Sequence, residues 1–386
     1  MVPAARLSAA IEVLDSILSG TPVDTALTGW GRGNRFAGSG DRAAIRDLVF
    51  DALRCKRSFA ALGGGMTGRG LMLGHVRASG LDEAALFNGS GHAPKPASDA
   101  DAPRPATDLE ALDCPDWLAP RLKHSLGDDF APVLQQLQTR GPAFLRVNLA
   151  RITRDDAQVL LAADGISTVL HPLADTALQV AIPTRKILTS KAYLDGLIEL
   201  QDAASQAVVQ AIPLADGQSV LDYCAGAGGK TLALAARAAL TLWAHDANAA
   251  RMRDLPGRAA RAGVQVGLLS DPARHAPYDL VFADVPCSGS GSWRRDPQGK
   301  WALTEGRLQD LIQSQAEILD LTARLVGANG SLAYVTCSLL ADENQDQITR
   351  FLARHPGWEA LMTRHLTPLL GGDGFFLAIL RRIQRQ

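Results

Sequence analysis

The chain has 386 residues, 47% of them hydrophobic and 20% charged. At about 150 residues per domain it holds two or three domains, and its apolar content excludes a globally disordered protein. With 39 Lys and Arg against 40 Asp and Glu, the net charge is −1, which excludes a histone-like polycation but not a local basic surface. No apolar run approaches the roughly 18 residues of a membrane span. Arg6, Glu12 and Asp15 interrupt the first apolar stretch, which therefore does not read as a secretory signal. Cys55, Cys114, Cys224, Cys287 and Cys337 are far apart and form no CxxC pair. This pattern argues against a disulfide framework or a metal cluster, and for a reducing cytoplasm.

In chain order, residues 2–19 read as an amphipathic helix closed by Gly20. Asp41 is placed to cap a second, long helix through Leu62, with Ile45, Leu48, Val49 and Leu53 at helical spacing. No strand is expected before residue 130. Residues 89–107 mix Gly, Ser and Ala with four Pro and read as a loop or linker. A small α/β unit follows, with a strand at 142–150, a helix ending at Gly165 and two further short strands before residue 200. Beyond it, apolar strands at 218–224, 242–246, 278–286 and 331–338 alternate with helices. Such alternation predicts a parallel, doubly wound sheet whose ligands lie at the carboxyl ends of the strands.

Four polar stretches fall at those ends. Cys224-Ala225-Gly226-Ala227-Gly228-Gly229-Lys230 is a Gly-rich strand-to-helix turn that lets a ligand approach backbone amides. Gly226 and Gly229 are three residues apart, too close for a Walker A loop, and the third glycine of GxGxxG is missing. Asp246 stands 24 residues after Asp222, where an acid can accept the ribose hydroxyls of a nucleoside cofactor or cap a helix. The loop and the acid suit NAD and S-adenosylmethionine alike. Asp284 and Cys287 begin the third stretch, followed by alternating Ser and Gly, and Cys337 begins the fourth. Two strand-end cysteines can face one another across a pocket, and the residues alone leave their roles exchangeable.

Together, LDYCAGAGGKT, DVPCSGSGSWRRDP, the helix around Gln315 and Leu319, YVTCSLLADEN and DGFFLAIL closely resemble the RsmB/Sun family of RNA cytosine-C5 methyltransferases. FLRVNLAR and GLIELQDAASQ extend the likeness over roughly 140–386. The N-terminal helices, above all RFAGSGDRAAIRDLVFDALR, resemble a NusB-type RNA-binding domain. One departure is Gly226-Ala227, where the family has Ala-Pro; the Gly pair and Lys230 are kept.

The resemblance implies a multidomain protein. A NusB-like all-α domain would span 1–130, a small RNA-recognition-type α/β unit 131–204, and a Rossmann-like methyltransferase domain 205–386. It implies S-adenosylmethionine at the 224–230 loop, with Asp246 at the ribose and Asp271 near the adenine. It makes Cys337 the nucleophile toward cytosine, Cys287 an aid to product release and Asp284 a hydrogen-bond partner of the base. The implied partner is RNA, by preference small-subunit ribosomal RNA, with transfer RNA or a non-catalytic RNA-binding role as alternatives. A monomer with no metal is expected. Phosphate contacts are expected from Arg294, Arg295 and Lys300, from Arg251, Arg253, Arg258 and Arg261, and from Arg42, Arg46, Arg54, Lys56 and Arg57. The small unit lacks an aromatic pair for stacking on bases.

Overall fold

The computed structural model describes residues 1–182, 184 and 186–383; the expected third domain therefore ends in three residues outside the described ones. The chain divides into two units. The first comprises Met1–Arg140 with Trp293–Ala302, and the second comprises Gly141–Ser292 and the residues from Leu303 onward.

The first unit is helical. Helices Pro3–Leu18, Val23–Gly33, Ser39–Arg54, Lys56–Leu62 and Gly68–Ala78 pack their apolar stripes into one core around Leu14, Ile45, Val49, Leu71 and Met72. Proline at the start of the first helix costs no hydrogen bond there, because its missing N–H would be unpaired anyway. Two expectations are corrected here. Asp41 does not cap its helix, which begins at Ser39 with Gly38 at the cap position. Its carboxylate instead accepts from the Met1 ammonium and the Arg6 guanidinium, each at 3.0 Å, a stronger attraction than a neutral amide offers.

The expected long helix through Leu62 is broken at Cys55. In an unbroken helix the amides of Arg57 and Ser58 would bond Leu53 and Arg54. Here both amides donate to the Asp113 carboxylate, at 2.6 and 3.1 Å. The freed carbonyls of Leu53 and Arg54 accept from Trp301 Nε1 at 2.7 Å and Lys300 Nζ at 3.2 Å. Burial drives the Lys300 ammonium down to about 8. Lys300, Arg294 and Arg54 are thus buried within the helical unit, which corrects their expected role as exposed phosphate contacts.

Residues 89–107 belong to the same unit and are mostly exposed. Asp101 anchors them through an ion pair with Arg69 at 3.0 Å and a capping box with Ser98.

The second unit begins with a four-stranded antiparallel sheet. Strands β1 (Phe144–Val147), β2 (Thr168–Leu170), β3 (Ala177–Val180) and β4 (Ile198–Leu200) lie in the order β2-β3-β1-β4. Helix Arg154–Ala163, capped by Thr153, packs on it, giving a ferredoxin-like layer. Phe144 is buried, so this sheet offers no aromatic platform.

The larger sheet comprises β5 (Ser219–Asp222), β6 (Thr241–Ala244), β7 (Gly267–Leu268), β8 (Tyr278–Asp284), β9 (Val326–Thr336), β10 (Trp358–Leu366) and β11 (Phe375–Arg382), in the order β10-β11-β9-β8-β5-β6-β7. Strands β5 to β9 pair in parallel, and the central ones are apolar on both faces because both are covered. The sheet is mixed rather than wholly parallel, since β11 runs antiparallel to both β9 and β10. The chain between β10 and β11 is too short for a crossover helix, so only a hairpin can form. Among the described residues no helix is long and apolar enough to cross a membrane.

The helix Gly68–Ala78 lies against Lys56–Leu62 so closely that a Cβ on Gly74 would meet the Phe59 carbonyl oxygen at 2.0 Å. Gly74→Ala is expected to destabilise the helical unit by about 1–3 kcal/mol through overpacking, read as a lower urea midpoint against the wild type.

Candidate functional site

The order of strands reverses at β5, which has β6 on one side and β8 on the other, and the carboxyl ends there frame a crevice. The chain leaves β5 at Asp222 and turns through 223–228 into the helix Gly229–Ala235. Gly226 and Gly228 carry φ of +51° and +81°, the left-handed region that a side chain disfavours. A Cβ at Gly228 would also strike the Leu255 side chain at 2.1 Å.

Side chains hold this turn from outside. The Gly226 amide donates to Asp246 Oδ2 at 3.0 Å, and Arg251 reaches the same carboxylate at 3.0 Å. Arg258 donates to the Ala227 carbonyl at 2.6 Å and pairs with Glu199 at 2.9 Å, while Arg261 closes on the other Glu199 oxygen. Arg146 on β1 donates to the Gly229 carbonyl at 3.1 Å. Burial pulls this guanidinium down to about 10. Thus β1 and β4 of the small sheet support the loop with two buried charged residues. Reading the sequence missed both Arg146 and Glu199, because each resembles an outward-facing residue on a short strand.

The turn encloses a cleft of about 270 Å³ lined by Cys224, Ala225, Gly226, Ala227, Gly229 and Lys230, with Asp284, Gln201, Ser205, Asp222 and Arg251 completing it. Two buried acceptors in its wall, Gln201 Oε1 and Asp222 Oδ1, have no hydrogen-bond partner. Burying such atoms is costly unless a ligand supplies donors, so the wall fits the ammonium end of an amino-acid-like cofactor. Burial raises the Asp222 carboxyl to about 7, although the hydrogen bond from Thr231 opposes this. Asp222, Gln201 and Ser205 were not singled out from sequence; the unpaired acceptors become visible only in the folded wall. Burial pushes the Cys224 thiol far up, which keeps it protonated. Gly228 shapes the turn without lining the cleft, and Asp246 stands behind it. Asp271 is exposed and accepts from the Ala273 amide at 2.9 Å as the cap of the turn Pro272–His275; it does not line the cleft.

Lys230 reaches across to Asp284 at the end of β8, with Nζ to Oδ2 at 2.6 Å. Burial alone would lower the lysine, but the charge and hydrogen bond of Asp284 hold it above its usual value. Just beyond, Cys287 and Cys337 bring their sulfurs within 3.4 Å. The Cys287 thiol is raised by its hydrogen bond to Cys337, by burial, and by the negative charges of Cys337 and Glu343. Both loops converge on Glu343, whose carboxylate accepts from the Ser288 amide at 2.8 Å, the hydroxyls of Ser288 and Ser338, and Gln315 Nε2 at 3.0 Å. Among the described residues no group of three or more His, Cys, Asp or Glu could hold a metal ion.

Residues 209–380 match the family described as 16S rRNA methyltransferase RsmB/F, and residues 114–186 match the ferredoxin-like domain of RsmF/B-like proteins. Residues 209–380 belong to the RsmB/F methyltransferase family. It is 31% identical over 284 residues to ribosomal RNA small subunit methyltransferase B of Klebsiella pneumoniae subsp. pneumoniae, covering 69% of this chain and 65% of that protein. It is 32% identical over 282 residues to the protein of the same name from Cronobacter sakazakii, covering 69% and 66%. The chain thus spans just under two thirds of the length of these relatives. The crystal structure of PH0851 shares the fold over 99% of both chains, with a TM-score of 0.76 and 24% identity. NSun6 from Pyrococcus horikoshii, crystallised with SFG, matches over 70% of this chain and 99% of its own, with a TM-score of 0.61 and 16% identity. S-adenosylmethionine is the cofactor of the RsmB/F family, and the cleft of this chain suits it.

The raised Asp222 carboxyl makes stability depend on pH. As pH climbs past the ordinary 3.8, the unfolded chain releases this proton while the folded chain keeps it until about 7. Ionisation of Asp222 therefore lowers stability between roughly pH 4 and pH 7. Asp222→Asn is expected to gain on the wild type as pH rises through that window, measured as urea midpoints side by side.

Proposed function

We propose that this protein is an S-adenosylmethionine-dependent RNA methyltransferase that forms 5-methylcytosine, with small-subunit ribosomal RNA as its substrate. The observation that carries this reading is the pair of sulfurs 3.4 Å apart at the ends of β8 and β9, next to a carboxylate tied to the wall of the cofactor cleft. Hydride transfer to or from a nicotinamide does not require such a pair of thiols, whereas cytosine C5 is a poor nucleophile until a thiolate adds to C6.

In this reading the Cys337 thiolate attacks C6, and Asp284 hydrogen-bonds the base edge near N3, where a proton would ease the addition. Lys230 fixes the orientation of Asp284. Gln201 and Asp222 would hold the amino end of S-adenosylmethionine, and the 224–230 loop, braced from behind by Asp246, its ribose side. That cofactor supplies an electrophilic methyl on a sulfonium. After C5 is methylated its proton leaves, the C6–S bond breaks, and Cys287 assists release of Cys337. The base must leave its stack to reach these groups.

The similarity of the named relatives to this chain supports ribosomal RNA as substrate. We assign residues 1–130 as a NusB-like RNA-binding region, 131–204 as the small α/β support and 205–386 as the catalytic region, working in the cytoplasm as a monomer. We assign phosphate contacts to the exposed Arg42, Arg46 and Arg253.

A covalent trap tests the chemistry. With unmodified small-subunit RNA and S-adenosylmethionine, Cys287→Ala is expected to accumulate a protein–RNA adduct on a denaturing gel, and Cys337→Ala none. The reverse pattern would exchange the two thiol roles. No adduct and no 5-methylcytosine from the wild type would defeat the proposal for this substrate. Asp284→Asn is expected to lower methyl transfer by about 10²–10⁴-fold, the usual worth of a positioned acid or base, as read by kcat on the same RNA.

A further inference from the structure

Glu343 is fully buried and lies on the short turn Ala341–Glu343 after β9. A buried carboxylate is expensive unless its oxygens are matched by donors, and here both are. One oxygen accepts from the Ser288 amide at 2.8 Å and from Gln315 Nε2 at 3.0 Å. The other accepts from the hydroxyls of Ser288 and Ser338. Ser288 follows Cys287 and Ser338 follows Cys337, so one carboxylate grips the residue next to each thiol. Ser290 fills the gap between them, its hydroxyl oxygen 3.1 Å from those of both serines. Gln315 also donates to the carbonyl of Pro286 at 3.0 Å, on the other side of Cys287. The turn carrying Glu343 is itself fixed, because Tyr334 donates to the Glu343 carbonyl at 2.7 Å and Asn344 donates to the Ser338 carbonyl at 2.9 Å.

Other contacts directly between the two loops include the sulfur pair, the Ser288 and Ser338 hydroxyls at 3.3 Å, the Leu339 amide donating to the Ser290 hydroxyl at 2.8 Å, and the backbone bonds of Gly291 to Cys337 and Val285 to Val335. None of these places an ion on either loop. We infer that Glu343 is a positioning residue for the two-thiol reaction: through Ser288 and Ser338 it sets the spacing of Cys287 and Cys337. This deepens the proposed methyl transfer and rests on it for the roles of the thiols. The groups acting on Cys287 include Cys337 just after β9, Glu343 from its turn and the Tyr334 hydroxyl. Its negative charge acts on Cys287 in the same direction as burial, holding the thiol up.

The test uses Glu343→Gln in the full chain, an isosteric change that keeps an acceptor and removes the charge. Methyl transfer is expected to fall by roughly 10²-fold, the cost of misplacing reacting groups by about an ångström, with KM for RNA nearly unchanged. Independently of RNA, the iodoacetamide reactivity of Cys287, followed by mass spectrometry, is expected to rise at lower pH than in the wild type. Ser338→Ala is expected to lower kcat as well, and to add less than its full effect in the Glu343→Gln background. It also serves if Glu343→Gln does not fold. Unchanged kcat in Glu343→Gln or in Ser338→Ala overturns the inference. So does a lost kcat with an unmoved Cys287 profile, which would make Glu343 a packing residue only. If the wild type methylates no RNA, the proposed function fails, while the alkylation profile still decides whether Glu343 controls the thiol.

Discussion

The Lys230–Asp284 ion pair organises the candidate site, because it ties the loop of the cleft to the strand that leads into the first cysteine. Its nitrogen and oxygen lie 2.6 Å apart, with side chains only 15% and 28% exposed. A pair so far from water returns little net stability once desolvation is subtracted. Its contribution is geometric: the ammonium fixes which way the carboxylate points, and the carboxylate keeps the ammonium charged. Every other feature of the site lies on one side or the other of this link. The glycine turn and its unpaired acceptors lie on one side, and the two thiols with their serines on the other.

The small antiparallel sheet has an unexpected place in this arrangement. Its fold invites comparison with RNA-recognition modules, yet it has no exposed aromatic pair, and two of its charged residues turn inward. Arg146 meets the carbonyl of Gly229, and Glu199 collects Arg258 and Arg261, the first of which holds the carbonyl of Ala227. A loop containing Gly226 and Ala227 has fewer intrinsic restraints than one containing proline. Charged side chains gripping its carbonyls supply restraint from outside. The layer thereby acts as a buttress for the cofactor loop, whatever else it contacts.

Much of the site was legible in the sequence because strand ends in an alternating α/β chain must converge. Apolar runs marked β5, β6, β8 and β9, and the polar residues that follow them had only the carboxyl edge to occupy. Reading the cysteines at two strand ends as a facing pair needed no side-chain detail. The errors came from local signals that distant groups outcompeted. Asp41 carried the signature of a cap, but two cations claimed it. The helix through Leu62 contained no proline or glycine at Cys55, yet Asp113 captured its amides from elsewhere in the chain. The β10–β11 hairpin was not read, because β10 mixes charged with apolar residues and the apolar run of β11 does not state strand direction.

The sequence by itself determined the succession of elements, the glycine turn and the placing of both cysteines after apolar strands, since periodicity and backbone freedom are local properties. Only the tertiary structure decided which buried charges would meet. Arg146, Glu199, Asp222 and Glu343 are unremarkable in their sequence neighbourhoods. Each acquires its meaning from a partner dozens of residues away or from the loss of water around it, and neither can be read from spacing along the chain. The same holds for Arg294 and Lys300, which look like surface cations in the sequence and are enclosed in the helical unit. Desolvation is a property of the packed whole, and it separates a solvated charge from one that positions chemistry.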